Sequence, residues 1–448
     1  MVLRIEQGRK DRIAQYVCQK QEMKGDFLKI RVGRLSDFLR IDRNKLLSMF
    51  MFDKTDVVYA LFLTGILIAY YGSLTPWFMW PIIKYYPILA SLPIGMAWLM
   101  SSMSGRHLFT RKEFLYPTLA YIGIAGYMAI VNSKNLNGYV SLAFNVFVFM
   151  SIFAVEQNTL KRLMKNLTVT MAVLLVFSIP CFILYLIGFP LPFSSIENED
   201  LMYSYYNYYF FLLDNRYVTD FIPRFHSVFL EPSHLGSACV FLLLTQFGKW
   251  KKWYNMVLIV AIVMTFSLTA YILFIVSVFL NQWVRGKRIW LHIVSIIVVL
   301  GAVGIFSYYY RNGDNMVNTL ILERFEVDDN GELVANNRVT DEFDDEFEDF
   351  IDSSDILFGR EYDLLKYGFG NSGYRVFIYD FGILYVLFLL AFYIMCSHFS
   401  TNRRAVIAMF AIGAATFWAR SSLLDYYDFL PLYAMVYVSP VIAKKDDQ

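Results

Sequence analysis

Charge is what this chain of 448 residues has least of: Asp, Glu, Lys and Arg make up only 17%, against 57% apolar residues. A soluble core of that length does not bury so much apolar surface, so a bilayer is the expected solvent. Cysteine is scarce as well. The four present, Cys18, Cys181, Cys239 and Cys396, show no paired spacing and three lie in apolar runs, so neither a disulfide nor a metal site is expected. No Asp-x-Asp motif or histidine cluster occurs where it would argue for a bound cation, and no cofactor is expected. The short basic stretch and apolar core of a cleaved signal peptide are missing too. Residues 1–55 instead form a long polar segment with 13 Lys or Arg up to Lys54, which most simply lies on an anionic inner leaflet. Charge alone does not make it a nucleic-acid binder, and the first span acts as its own insertion signal. No internal repeat and no soluble catalytic domain is visible.

What the chain has in abundance is apolar runs of the length that crosses roughly 30 Å of hydrocarbon as a helix. They fall near 57–74, 82–103, 113–132, 138–156, 166–189, 225–247, 254–284, 289–308, 374–397, 404–421 and 427–443. The fold class is therefore all-α, a polytopic membrane helix bundle over residues 56–443 with a short tail at 444–448. The 31 residues of the seventh run are many for one crossing and few for two, and charge decides between those readings. Basic segments at the N-terminus, at Arg106, Arg111 and Lys112, at Lys161, Arg162 and Lys165, and at Lys249 to Lys252 share one side if each earlier run crosses once. Arg285 to Arg288, Arg403-Arg404 and Lys444-Lys445 join them only if 254–284 crosses twice, as two short helices meeting near Ser267. The expectation is twelve spans, both termini cytoplasmic, and two long external loops at 190–224 and 309–373.

Groups capable of chemistry concentrate in and beside those loops. Pro223-Arg-Phe-His-Ser-Val-Phe-Leu-Glu231-Pro-Ser-His234-Leu-Gly236 opens the sixth span, and Arg224, Ser227, Glu231 and His234 are spaced 3, 4 and 3 apart. On a helix they form one polar stripe, and an ionisable group inside a span marks a functional site or a structural ion pair. Pro232 is expected to loosen that helix beside the carboxylate. Thr265-Phe-Ser267-Leu-Thr269 brings three hydroxyls to the break in the seventh run, either lining a watery cavity or bonding back to helix carbonyls. The second loop carries 16 acidic and 3 basic residues between Glu323 and Asp363. Its Arg324, Arg338 and Arg360, with Arg375 after it, either pair with those carboxylates or project toward a diphosphate. Tyr203-Ser-Tyr-Tyr-Asn-Tyr-Tyr-Phe-Phe211, with Tyr205 and Tyr208, reads as an interfacial belt or as a platform for sugar rings.

Taken in order, these features resemble the superfamily of O-antigen polymerases (Wzy) and O-antigen ligases. The match rests on Arg224 with Phe229-Leu-Glu231-Pro232-Ser233, then Thr265-Phe-Ser267, Asn337-Arg338, Phe358-Gly359-Arg360 and a span containing Gly382. It covers roughly 55–440, and order and topology carry more of it than any single motif. Ligases of the superfamily show a His, then Asn or Ser, nine residues and a Gly as the large loop re-enters the membrane. Here Asn371 stands at the His position, followed by Ser372, nine residues and Gly382, which favours a polymerase over a ligase.

The resemblance implies a metal-independent, GT-C-like glycosyltransferase of the bacterial inner membrane. It would move a growing glycan from undecaprenyl diphosphate onto the sugar end of another lipid-linked repeat unit of an O-antigen, capsule or exopolysaccharide, alongside a chain-length regulator protein. Arg224 and Arg338 would hold the diphosphate, with Arg324, Arg360 and Arg375 in reserve. Glu231 is either the base for the acceptor hydroxyl, tuned by burial, or the ion-pair partner that positions Arg224. His234, Ser227, Ser267, Tyr205 and Tyr208 complete the expected substrate-binding set. A lipid-linked glycan flippase would also need many spans and an arginine-lined cavity, but is expected to show two related halves.

Overall fold

The computed structural model describes residues 57–103, 108–131, 136–198, 203–215, 223–286, 340–367, 371, 373–398, 400, 402–419 and 427–440, with positions 294, 301, 304, 305 and 307–310. In chain order the described helices are α1 (Val57–Ser73), α2 (Tyr86–Met103), α3 (Leu115–Val131), α4 (Leu136–Ala154), α5 (Gln157–Leu186), α6 (Pro232–Leu244), α7 (Trp253–Met264) and α8 (Leu268–Val284). They continue with α9 (Asp341–Ile351), α10 (Tyr374–Ser397), α11 (Arg403–Ala419) and α12 (Leu430–Val438). The chain divides into two units, Met1–Ala60 and Leu61–Gln448, and α2 to α12 all belong to the second.

Among the described residues, three helical stretches are long and apolar enough to cross a membrane: Trp77–Met103, where a 3-10 stretch leads into α2, then α5 and α10. Their outward faces are as apolar as their packed ones, with Leu92, Met96, Leu99, Val176, Phe177, Leu387, Leu390 and Ile394 all exposed. A helix apolar all round has no aqueous face to offer, which is the pattern of a segment solvated by lipid. Apolar helices of 17 residues or fewer, such as α1, α3, α6, α7 and α8, fill out the bundle. Neighbours pack as α3 on α10, α6 on α8, α2 on α4 and α5 on α7. The α6 to α8 contact is close because Gly236 presses its bare Cα against the Ala270 side chain.

The seventh apolar run does break at Ser267. It forms two helices, α7 and α8, whose far ends return to one place: the backbone at Gly248, before α7, lies against the guanidinium of Arg285, after α8. Arg404 at the start of α11 reaches the same end, donating to the Trp283 carbonyl at 3.1 Å, and Asn402 donates to the Pro440 carbonyl at 2.9 Å beyond α12. Basic loops distant in sequence therefore share one end of the bundle. The 12 residues of α7 rise only about 18 Å, short of a full crossing by themselves.

Three expectations need correction. The chain is mostly helical but not purely so: the segment expected as the first long loop folds into a three-stranded antiparallel sheet of β1 (Ser194–Asn198), β2 (Tyr203–Asn207) and β3 (Leu212–Asp214), in the order β1-β2-β3. β2 carries three tyrosines, a residue that fits a half-buried pleated surface. The basic group Lys161, Arg162 and Lys165 is not a loop but part of the first turns of α5, which starts at Gln157. The sixth helix begins at Pro232, not near residue 225. Proline suits the first helical position because its fixed φ is helical and it has no N–H to leave unpaired, so Pro232 starts the helix rather than loosening it.

Candidate functional site

Residues 223–231 form an extended strap ahead of α6, held from three sides. The Phe225 N–H donates to the Met264 carbonyl at the end of α7 (3.1 Å), the Leu212 N–H of β3 to the Ser227 carbonyl (2.7 Å), and the Trp77 N–H to the Val228 carbonyl (3.0 Å). Ser227 turns the strap at φ 54°, a conformation that side chains other than glycine's adopt at a cost. Between strap, sheet and helix lies a cleft of ≈ 220 Å³, lined by Arg224, Glu231, Ser233, His226, Asp214 and Tyr203 with Leu213, Leu230, Pro223 and Pro232.

The Arg224 Nε donates to the Thr265 carbonyl at 3.3 Å, which fastens the guanidinium to the break between α7 and α8. Glu231 is the residue before α6, and its Oε2 accepts from the Ser233 hydroxyl at 3.0 Å with His234 Nε2 at 3.7 Å. The first turn of α6 opens on the cleft with backbone N–H groups that have no partner within the helix, so the helix end and Arg224 both favour an anion. His226 is buried, which lowers its pKa from the usual histidine value, and its Nδ1 lies 2.5 Å from the Phe229 carbonyl. The cleft can thus hold an anionic group beside a carboxylate oriented to accept a proton.

Arg224 and Glu231 meet in this cleft by way of an extended strap, not along a helical stripe. The Glu231 side chain is 44% exposed. Ser227 is buried within the strap, outside the cleft lining, and its hydroxyl has no hydrogen-bond partner among the described residues. Ser267 is likewise enclosed: it starts α8, its hydroxyl accepting from the Ala270 N–H, while Thr265 bonds back to the Ile262 carbonyl at 2.7 Å. The hydroxyls at the break are caps. Tyr205 is fully buried, donating to the Leu230 carbonyl at 3.2 Å, and presents no ring face to a sugar. Tyr208 stacks on Phe211, with ring centroids 4.6 Å apart, and packs against Tyr185 of α5. Arg324 and Arg338 lie outside the described residues.

Arg360 and Arg375 belong to a separate folded patch of the second loop. There α9 buries Phe343, Phe347 and Phe350, spaced 4 and 3 apart along one face, against Tyr367 and Tyr379. Arg360 pairs with Glu346 at 3.0 Å and Asp355 at 2.8 Å, and Arg375 pairs with Asp344. Both guanidiniums are engaged by carboxylates of their own loop, the first of the two arrangements expected for them. Asn371 ties the patch together: its Oδ1 accepts the Thr340 N–H at 2.6 Å, and its Nδ2 lies 2.9 Å from both the Tyr362 hydroxyl and the Tyr367 carbonyl.

This patch docks into a break in α10. Gly382 leaves the helical conformation at φ 74° and Gly359 crosses it at φ 86°. The Arg360 N–H donates to the Tyr379 carbonyl at 2.5 Å, Asp380 accepts the Tyr362 N–H at 3.2 Å, and the Tyr127 hydroxyl of α3 donates to the Phe381 carbonyl at 2.7 Å. Backbone groups freed by the break thereby regain partners, which membrane depth demands.

Sequence reading missed Asp214 as a wall of the cleft, and quoted His226 and Tyr203 only within their segments. The only local sign was a carboxylate, Asp214, closing an apolar Leu-Leu pair, since the fold of the first loop brings these residues to the strap. Compared with models of known families, with curated proteins and with solved structures, the chain matches none.

Proposed function

We propose that the chain is an integral membrane glycosyltransferase of the O-antigen polymerase kind. Its twelve spans place both termini in the cytoplasm and the cleft at the outer surface of a bacterial inner membrane. Its donor is a glycan on undecaprenyl diphosphate and its acceptor the terminal sugar of another lipid-linked repeat unit. The observation that carries this reading is the pairing, in one cleft at the start of α6, of Arg224 with Glu231. The guanidinium matches diphosphate oxygens and keeps its charge, while the helix end adds backbone donors beside it. Glu231, oriented by Ser233 and His234, takes the proton from the acceptor hydroxyl. The hydroxyl oxygen bonds to the anomeric carbon as the bond to the diphosphate oxygen breaks, and the leaving diphosphate carries its negative charge to Arg224. Support for a polymerase over a ligase comes from Asn371, whose side chain is committed to holding the loop patch.

The test is polymer length on gels for Arg224→Ala and Glu231→Gln at matched expression, with lipid-linked intermediates assigned to a leaflet. The expected result is loss of the ladder and build-up of single repeat units on the outer leaflet. Normal ladders from both variants would sink the assignment, and build-up on the inner leaflet would instead favour a flippase.

A further inference from the structure

The sheet of the first loop is divided along its length. Its water end carries Glu197, Asn198 and Ser204, with Glu197 opposite Ser204, while its other end is the turn of Tyr208, Tyr209, Phe210 and Phe211. Tyr209 and Phe210 are half exposed, as are Phe193 beside them and Phe177 and Phe189 on the neighbouring α5 segment. Isolated apolar side chains on a surface need no explanation, but five large aromatics together do.

Contacts with α5 fix the depth of this turn. Tyr208 packs on Tyr185, Phe211 on Phe182 and Phe210 on Phe177, with ring centroids 5.2, 5.4 and 6.2 Å apart. The turn therefore descends along the helix, and Phe177 lies nine residues, roughly 13 Å, before the helix end at Leu186. If α5 crosses the bilayer, the turn sits below its end, beside Val176 and Phe177, which are themselves exposed.

Backbone pairing suits such a place. The N–H of Tyr208 donates to the Phe211 carbonyl at 2.9 Å, that of Tyr209 to Asn207 Oδ1 at 2.8 Å, and that of Phe210 to the Tyr208 carbonyl at 2.8 Å. The Tyr209 carbonyl accepts from the Trp77 indole at 3.1 Å. Non-helical backbone survives at membrane depth only with its polar groups partnered in this way. Tyr209 holds φ 67°, where glycine is the residue of least cost, yet the chain places a half-exposed aromatic ring there.

We propose that the Tyr208–Phe211 turn is a wedge inserted among the acyl chains of the outer leaflet. The sheet then runs from lipid to water, with the Arg224 cleft on its upper part, so a substrate carried on a lipid tail meets the cleft without leaving the bilayer. The wedge rests on the proposed role of α5 as a membrane span.

The test uses the full chain reconstituted in palmitoyl-oleoyl phosphatidylcholine vesicles, spin-labelled at single added cysteines, with the unsubstituted protein as the labelling blank. Tyr209→Cys and Phe210→Cys report on the turn, Val176→Cys on α5, and Glu197→Cys on the far end of the sheet. All four positions are on exposed side chains, so folding is preserved in at least one turn variant. Collision with oxygen marks lipid and collision with a nickel chelate marks water. The expected result is an oxygen-to-nickel ratio at 209 and 210 equal to that at 176 and well above that at 197. A nickel-dominated signal at 209 and 210 with an oxygen-dominated one at 176 overturns the wedge and leaves the membrane span standing. Weak collision with both reagents at the turn, as under a second copy of the chain, also overturns it. A nickel-dominated signal at 176 overturns the membrane span and the wedge with it.

Discussion

Gly382 and Gly359 show how a pair of single residues decides whether the second loop can dock. A Cβ built on Gly382 would lie 2.6 Å from the Gly359 nitrogen, and one on Gly359 would lie 2.6 Å from the Asp380 carbonyl, so backbone meets backbone with no side chain to yield. Both residues also hold positive φ, which adds roughly 1–3 kcal/mol of strain for any other residue. Gly382→Ala is expected to lower the thermal unfolding midpoint in detergent and to release the patch around α9, read as new protease cleavage within 340–367. An unchanged midpoint and an uncleaved loop would show that the crossing tolerates a methyl group. Sequence alone marked Gly382 as part of a motif, but not the close approach to Gly359 that explains it. That approach is set by contact between a loop and a helix more than twenty positions apart.

At the scale of one element, α9 joins an aromatic face to an acidic one, and its attachment depends on charge. Glu346 accepts from Lys366 at 3.1 Å and from the Tyr379 hydroxyl at 3.2 Å, and pairs with Arg360. Hydrogen bonding from Tyr367 and Lys366 holds its carboxyl below the ordinary value of 4.5. Because the folded value is the lower one, the charged form stabilises the patch above pH 4.5, and that contribution is lost as the pH falls below it. Amide protection over 340–367, taken relative to the intrinsic exchange rate at each pH, is expected to stay high at neutral pH and to fall below pH 4.5, with α3 and α5 unaffected. Exchange that does not change through that range, or Glu346→Gln behaving as the parent, would contradict this. The same element explains the surroundings of two arginines. Arg360 and Arg375 were legible as cations near carboxylates, and their pairing with Glu346 and Asp344 follows from the helix that carries those acids, with Asp355 supplied by the 3-10 turn after it.

Across the whole molecule, the reversal at Ser267 and the meeting of Gly248, Arg285 and Arg404 sort the loops into two sets. On the proposed topology, with basic ends inward, the sheet at 194–214 and the patch at 340–367 are expected to face the same side. Ser195→Cys and Ser354→Cys, both exposed, are expected to react with a membrane-impermeant maleimide added to intact spheroplasts. Lys251→Cys is expected to react only after lysis. Opposite behaviour of Ser195→Cys and Ser354→Cys would break the twelve-span reading. The sequence by itself determined the apolar helical character of the chain and the break at Ser267, because hydropathy and charge are properties of local composition. It also named Arg224 and Glu231, because an ionisable group at the edge of an apolar run stands out without any fold. Only the tertiary structure decided that these two line a cleft from an extended strap, that Ser227, Ser267 and Tyr205 are packing or capping residues, and that Asp214, Tyr203 and His226 complete the walls. Those outcomes depend on hydrogen bonds and contacts between segments far apart in sequence, such as Leu212 with Ser227 and Arg224 with Thr265, which no local pattern encodes.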